Sequence, residues 1–273
     1  MRMSVVTPCY NSENYIGDTV KSVLNQTSVL RGEIDLEYII RDGGSNDRTL
    51  DVLSQFQNSS LRIVSQPDSG MYDALATGLQ EATGDIVAYI NAGDYYHGSA
   101  FDVVRQIFDR GDVKWLTGFN TFCNEDSATI SVNLPFKYRT DLLRKGAYGR
   151  VLPYVQQEST FWARELHETL DFQYLSRLRL AGDHYMWTRF AGAAKLKIVQ
   201  AHLGTFKNHP GQLSSATEKY LEEAAGHSAR LNVVETAQAL SDKAFWYSPN
   251  KLKRRLNSNG IFYFDTSCQR WQY

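Results

Sequence analysis

The chain has 273 residues, 42% hydrophobic and 22% charged, with a formal net charge of −1. That length buries a sizeable core and fits one domain with an appendage, while the near-neutral charge gives no bulk electrostatic reason to bind nucleic acid. Cys9, Cys123 and Cys268 have no ligand-like spacing, the N-terminus turns polar too early for a signal peptide, and no apolar run approaches the ~20 residues of a membrane span, so a cytoplasmic protein is expected.

In chain order, the first ninety residues alternate between strand-like and helix-like patterns. Short β-rich runs lie at residues 3–7, 36–40, 61–65 and 86–90, and continuous apolar runs of this length suit strands covered on both faces. Between them are three helical stripes. The first is Ile16, Val20, Val23 and Leu24; the second is Leu50, Leu53 and Phe56. The third is Ala74, Leu75, Gly78, Leu79 and Ala82, whose small residues allow close packing. The βαβαβαβ order predicts a doubly wound, mostly parallel α/β sheet of Rossmann-like type, with ligands beyond the carboxyl ends of the strands. Further strands are expected at 113–117, 128–133 and 159–162, a short helix at 183–190, and an alternating segment at 195–202. From residue 215 the pattern is helical through roughly residue 240, and it ends in a basic, aromatic tail. The predicted division is a catalytic domain over 1–214 and a helical C-terminal extension over 215–273.

The strand ends carry polar turns. Asp94 closes Asn91-Ala92-Gly93-Asp94, just past a buried strand. There it reads either as a turn-former or as an oxygen ligand for Mg2+ or Mn2+. Asp68 or Ser69 can cap the helix that carries Asp73. Asp42, before Gly43 and Gly44, can accept from a nucleobase N–H, while Ser45 or Asp47 caps the next helix. Asp183 opens a helix, where the macrodipole is expected to keep its pKa low; it is either an N-cap or a general base. Lys207 and His209 lie in a polar loop expected after a strand, and either can neutralise a diphosphate.

In this order the segments resemble family 2 of the inverting glycosyltransferases, which have the GT-A fold. The residues that carry the likeness are Ser4 to Asn11, Glu37 to Thr49, Gln66 to Ala74 and Gly84 to Asp94. It continues in Gln156 to Trp162, Ala181 to Tyr185 and Phe206 to Ser214. The resemblance implies a nucleoside-diphosphate sugar, UDP-linked first, held by Thr7, Pro8, Tyr10, Asn11, Asp42, Gly44, Asp68, Asp73, Asn91, Ala92 and Gly93. It implies a divalent ion, Mn2+ or Mg2+, on Asp94, and the diphosphate near Lys207 and His209. It further implies a saccharide or lipid-linked acceptor near Gln157 and Glu158, with Asp183 as the base, in cell-surface polysaccharide synthesis. Asn91 and Gly93 stand where many members carry acidic residues, and Gly43 where a second Asp is common.

A dehydrogenase is rejected because the first turn lacks Gly-x-Gly-x-x-Gly. A sugar nucleotidyltransferase lacks its glycine- and lysine-rich opening loop. The remaining rival is a nucleotide-sugar-binding protein without turnover. Basic and aromatic residues of the tail, Phe245 to Tyr247 and Lys251 to Arg255, suit peripheral contact with an anionic membrane surface. Packing of the extension over the catalytic domain, or a homo-oligomer, is the other use for that tail.

Overall fold

A computed structural model describes residues 1–209, 212 and 216–273. The first half runs β1 (Arg2–Cys9), α1 (Ile16–Leu24), α2 (Thr27–Leu30), β2 (Asp35–Asp42), α3 (Thr49–Leu53), β3 (Leu61–Ser65), α4 (Met71–Glu81) and β4 (Ile86–Tyr89). Then come β5 (Tyr95–Tyr96), α5 (Ala100–Phe108), β6 (Trp115–Thr117), β7 (Asn120–Cys123), β8 (Thr129–Asn133) and α6 (Thr140–Arg144). The rest is β9 (Thr160–Ala163), α7 (Phe172–Arg177), α8 (Gly182–Phe190), β10 (Leu196–Val199), β11 (Gly204–Lys207), α9 (Thr217–Ala225), α10 (Val233–Phe245), α11 (Asn250–Leu256), β12 (Ile261–Asp265) and β13 (Arg270–Gln272).

Among the described residues the strands form a nine-stranded sheet, ordered β13-β12-β10-β6-β9-β4-β1-β2-β3, and a four-stranded sheet, β5-β11-β7-β8. β1 to β4, β6, β10 and β12 pair in parallel, whereas β9 runs antiparallel between β4 and β6. Alternation along the strands divides the core in two. Val6, Ile39 and Val87, with Trp162 beside Val87 on β9, pack with Leu75 and Leu79 of α4. Val5, Ile40 and Ala88 face Ile16, Val20 and Phe101. Burying each such aliphatic side chain contributes about 1.5–3 kcal/mol, so the two-sided apolar runs dictate helices on both faces.

Gly78 makes the packing of α4 on the sheet possible. A Cβ there would lie 2.5 Å from Val6 Cγ1 and 3.2 Å from Arg41 Cγ. The small-residue stripe thereby brings α4 against β1 and β2, and its N-terminus against the strand ends.

The C-terminal extension is helical over 217–225, 233–245 and 250–256, but its last residues differ from the helical expectation. β12 pairs in parallel with β10, and β13 folds back on β12, so the tail lengthens the main sheet. Its run Ile261-Phe262-Tyr263 is a strand signal that the basic run before it obscured, with Ile261 and Phe262 both buried. The boundary expected at 214/215 falls outside the described residues. Among the described residues no helix is long and apolar enough to cross a membrane.

Candidate active site

The side expected to take a nucleotide is built from the ends of β1, β2 and β3. The strand parity of β1 sends Thr7 inward, where its hydroxyl hydrogen-bonds Tyr38 at 3.0 Å, and Pro8 is buried beside it. Tyr10 is 58% exposed, and Asn11 turns outward with φ 47°. Asn11 Oδ1 accepts from the Asn46 amide at 3.0 Å, and its own amide donates to Ser45 Oγ at 2.8 Å. The structure therefore joins Tyr10 and Asn11 to the loop after β2, while Thr7 serves the core.

Asp42 is only 2% exposed. Its Oδ2 accepts from the amides of Gly44 and Ser45 at 3.2 and 3.1 Å and from Ser65 Oγ at 2.6 Å, and its Oδ1 accepts from Ser45 Oγ at 2.5 Å. The carboxylate expected to read a base thus organises its own loop. Contrary to the expectation of a cap from Ser45 or Asp47, α3 has no side-chain cap; Asp47, one residue before its N-cap position Arg48, accepts from the Thr49 amide at 2.9 Å. Asp68 packs against Gly43, where a Cβ would meet its Oδ2 at 2.6 Å, and Gly44, at φ 80°, lies against Pro67. A side chain at 43 would displace Asp68, which gives a local reason for glycine there.

α4 begins after Gly70 with no side-chain cap, contrary to the expectation of one from Asp68 or Ser69. Asp68 accepts from the Gly70 amide at 2.8 Å, and Asp73 reaches back to accept from Ser69 at 2.9 Å. Burial, together with the charges of Asp73 and Asp42, holds the Asp68 carboxyl above its usual range.

The turn after β4 is braced on all sides. Thr19 Oγ1 accepts from the Gly93 amide at 2.9 Å and donates to the Asp94 carbonyl at 2.7 Å. Asp94 Oδ1 accepts from the Lys207 amide at 2.9 Å. Lys207 is the last residue of β11 rather than part of a loop, and its Nζ donates to Ser127 Oγ at 3.1 Å. His209 stacks on Tyr15 with centroids 4.2 Å apart, and its Nε2 lies 3.3 Å from where a Gly93 Cβ would stand. Gly93, at φ 112°, is thus fixed both by its backbone and by the ring above it.

Gln157 and Glu158, expected beside an acceptor, lie buried beneath this turn. Gln157 Oε1 accepts from Asn91 Nδ2 at 3.2 Å, and its Nε2 donates to the Tyr89 carbonyl. Glu158 accepts from Gln156, and burial beside Asp94 pushes its carboxyl well above the ordinary range. Neither side chain is presented to solvent.

Among the described residues no group of three His, Cys, Asp or Glu side chains is arranged to hold a metal. The turn nevertheless supplies oxygen donors: the Asp94 carboxylate and Asn91 Oδ1, which is buried without a hydrogen-bond partner. That set fits Mg2+ or Mn2+, which take one or two protein oxygens and complete their shell with water and phosphate.

Asp183 lies in the first turn of α8, one residue inside its start at Gly182 and with Ala181 at the N-cap, so it is not the cap, and its electrostatics also differ from the expectation. Burial pushes its pKa up to about 6, outweighing the bonds that stabilise the anion, from the His184 amide at 2.7 Å and the Tyr72 hydroxyl at 3.4 Å. The expectation of a low pKa considered the helix N-terminus alone; enclosure outweighs it. A carboxylate poised there is ionised at neutral pH and more basic than an exposed one. Glu158 feels the charge of both Asp94 and Asp183, so the Asp94 turn and Asp183 belong to one electrostatic neighbourhood.

Residues 4–190 match the model of glycosyl transferase family 2. The chain belongs to that family. Among its relatives, alr2836 of Nostoc, an uncharacterised glycosyltransferase, is 31% identical over 116 residues, 41% of this chain and 34% of that one. Rv1514c of Mycobacterium tuberculosis, also an uncharacterised glycosyltransferase, is 36% identical over 147 residues, 52% of this chain and 54% of that one. The family-2 chain thus aligns with a third to about half the length of these two. WfgD of Escherichia coli, named as a UDP-Glc:α-D-GlcNAc-diphosphoundecaprenol β-1,3-glucosyltransferase, is 21% identical over 81% of each chain. TarS 1–349 of S. aureus, solved with UDP-GlcNAc, superposes with a TM-score of 0.64 at 17% identity, covering 94% of this chain and 75% of that one. PcManGT from Pyrobaculum calidifontis, a mannosyltransferase solved with GDP-Man and Mn2+, gives 0.61 at 16% over 94% and 73%. The fold is the GT-A type of such glycosyltransferases.

Sequence reasoning missed Tyr72, Tyr15 and Thr19. Tyr72 stands beside Asp73 in a segment already singled out, but nothing in its spacing shows that it meets Asp183.

Proposed function

We propose that this family-2 chain is an inverting, divalent-cation-dependent glycosyltransferase. It would move one sugar from a nucleoside diphosphate, UDP first, to a saccharide or lipid-linked acceptor in cell-surface polysaccharide synthesis. Residues 1–214 would form the catalytic unit and 215–273 its extension. The observation that carries this reading is the placement of Asp183, with its pKa raised to about 6, in the same neighbourhood as the Asp94 turn. The names of WfgD and the ligands of TarS and PcManGT support the donor and acceptor classes.

The base of the nucleotide would sit against Tyr10, Asn11 and the loop that Asp42 holds in shape. Asp94 and Asn91 Oδ1 would hold the divalent ion, which when bound supplies Lewis acidity that offsets charge on the departing diphosphate. His209, stacked on Tyr15 above Gly93, would border the diphosphate. Asp183 takes the proton of the acceptor hydroxyl as that oxygen attacks the anomeric carbon. The bond to the diphosphate breaks, and its electron pair leaves with the nucleotide. One displacement inverts the anomeric centre and needs no enzyme nucleophile, unlike retaining glycoside hydrolysis.

Thermal melting with UDP, GDP, dTDP and CDP, each with and without Mn2+, tests the reading. A ligand confined to the folded state raises the melting temperature by mass action. Metal-dependent stabilisation by one nucleotide is expected, with UDP first. No shift with any of the four would overturn the donor site.

A further inference from the structure

The C-terminal extension reaches the neighbourhood of Asp183 through two side chains, Glu223 and His227. Glu223, in α9, accepts from three consecutive backbone amides: Arg179 on Oε1 at 2.7 Å, and Leu180 and Ala181 on Oε2 at 2.7 and 2.6 Å. These amides occupy the link between α7 and α8, two to four residues before Asp183. Hydrogen bonds to an ionised carboxylate are stronger than neutral ones, and a negative charge here also suits the N-terminus of α8. On the other side of the same link, the Leu180 carbonyl, at 3.2 Å, shares the single Tyr72 hydroxyl proton with Asp183 Oδ1, at 3.4 Å.

A second tie leaves the end of the same helix. His184, next to Asp183, has Nε2 3.1 Å from the Gly146 carbonyl and Nδ1 2.8 Å from His227 Nε2. A carbonyl only accepts, so the His184 proton sits on Nε2, its Nδ1 accepts, and His227 donates from Nε2. That assignment leaves His227 Nδ1 bare, and it is buried without a partner. Asp183 is therefore flanked by two ties to the same part of the extension, one before it and one after it. Both partners lie beyond residue 190, where the match to the family ends.

We propose that Glu223 is a positioning residue for Asp183: by gathering the amides of Arg179, Leu180 and Ala181 it fixes the start of α8 and hence the direction of the base carboxylate. This rests on the reading of Asp183 as the base. The titratable groups facing Asp183 are Tyr72 from α4, Tyr89 from β4, Tyr154 and Glu158 from the segment before β9, and Tyr220 and Glu223 from α9. Glu223 adds a negative charge to this set, and its removal lowers the Asp183 pKa.

The test compares the full chain with Glu223→Gln, Glu223→Asp, Asp183→Asn and Asp183→Asn/Glu223→Gln. It measures UDP release from UDP-GlcNAc with Mn2+ across pH, and the 13C carboxyl titration of Asp183 without ligand. For Glu223→Gln we expect at least tenfold lower kcat, donor KM within twofold, and Asp183 titrating lower by about half a pH unit. The double variant should be no slower than Asp183→Asn, because Glu223 acts through Asp183. A wild-type kcat and an unmoved titration in Glu223→Gln, or a further tenfold loss in the double variant, would overturn the proposal. Should Glu223→Gln fail to fold, Glu223→Asp keeps the charge but loses the reach. Reduced kcat there supports the positioning role, and unchanged kcat overturns it. An active Asp183→Asn sinks the base reading itself, whereas an inactive Asp183→Asn beside a fully active Glu223→Gln sinks only the role of Glu223.

Discussion

Tyr72 and Asp183, 111 residues apart, are joined twice: the Tyr72 hydroxyl lies 3.4 Å from Asp183 Oδ1, and it accepts from the Asp183 amide at 3.3 Å. Gly182 makes room for this contact, since a Cβ there would stand 2.3 Å from the Tyr72 ring. The N-terminal half of the chain, which carries the proposed donor turns, therefore holds the proposed base, Asp183, supplied by the other half.

Asp183→Asn should bind nucleotide as the wild type does and lose about 10²–10⁴-fold in transfer, the usual contribution of a general base. In the wild type, kcat should fall as pH drops through about 6, where Asp183 takes up its proton. Folding raises this pKa, so between about pH 4 and 6 the unfolded chain holds fewer protons and the contribution of Asp183 to stability declines as pH rises. The Asn variant should accordingly melt no lower than the wild type at pH 7.5. A melting point several degrees lower would assign Asp183 a structural duty instead.

Tyr72→Phe removes the hydroxyl proton that Asp183 Oδ1 shares with the Leu180 carbonyl, and with it a donor to the ionised form of Asp183. The acid limb of the kcat profile should then move upward, by about half a unit, because the anion has lost a donor. This is the opposite direction from Glu223→Gln. Identical limbs in the wild type and the Phe variant would show that the 3.4 Å contact carries no weight in solution.

Asp94→Asn preserves an oxygen to accept from the Lys207 amide while removing the charge. Stability should stay within about 1 kcal/mol of wild type, because one neutral hydrogen bond replaces a charge-assisted one. The additional nucleotide stabilisation that Mn2+ brings should disappear. Isothermal titration of UDP with and without Mn2+ measures this directly, and an intact metal response would remove Asp94 from the ion site.

Gly78→Ala should destabilise by about 1–3 kcal/mol, since the added methyl meets Val6 and Arg41 with no room to move. Gly98→Ala, with open space around its Cβ, serves as the control and should stay within about 0.5 kcal/mol. Urea unfolding compares the two. Equal midpoints would mean that α4 adjusts its seat on the sheet.

The sequence by itself determined the alternating α/β order, the stripe that seats α4, and the turns at the ends of β1, β2 and β4. These are local matters: apolar period and turn chemistry are set by neighbours within a few residues, and Asp42, Asp94 and Asp183 are legible because each closes or opens such an element. Tertiary structure alone decided which side chains face outward and which charges meet. It turned Thr7 into the core and Asp42 onto its own loop, buried Gln157 and Glu158, and raised Asp183 by enclosure. It also brought Tyr72 and Glu223 to Asp183 and its link and carried β12 back to the main sheet. Each of these outcomes depends on desolvation or on pairing between segments tens of residues apart, and spacing along the chain does not record them.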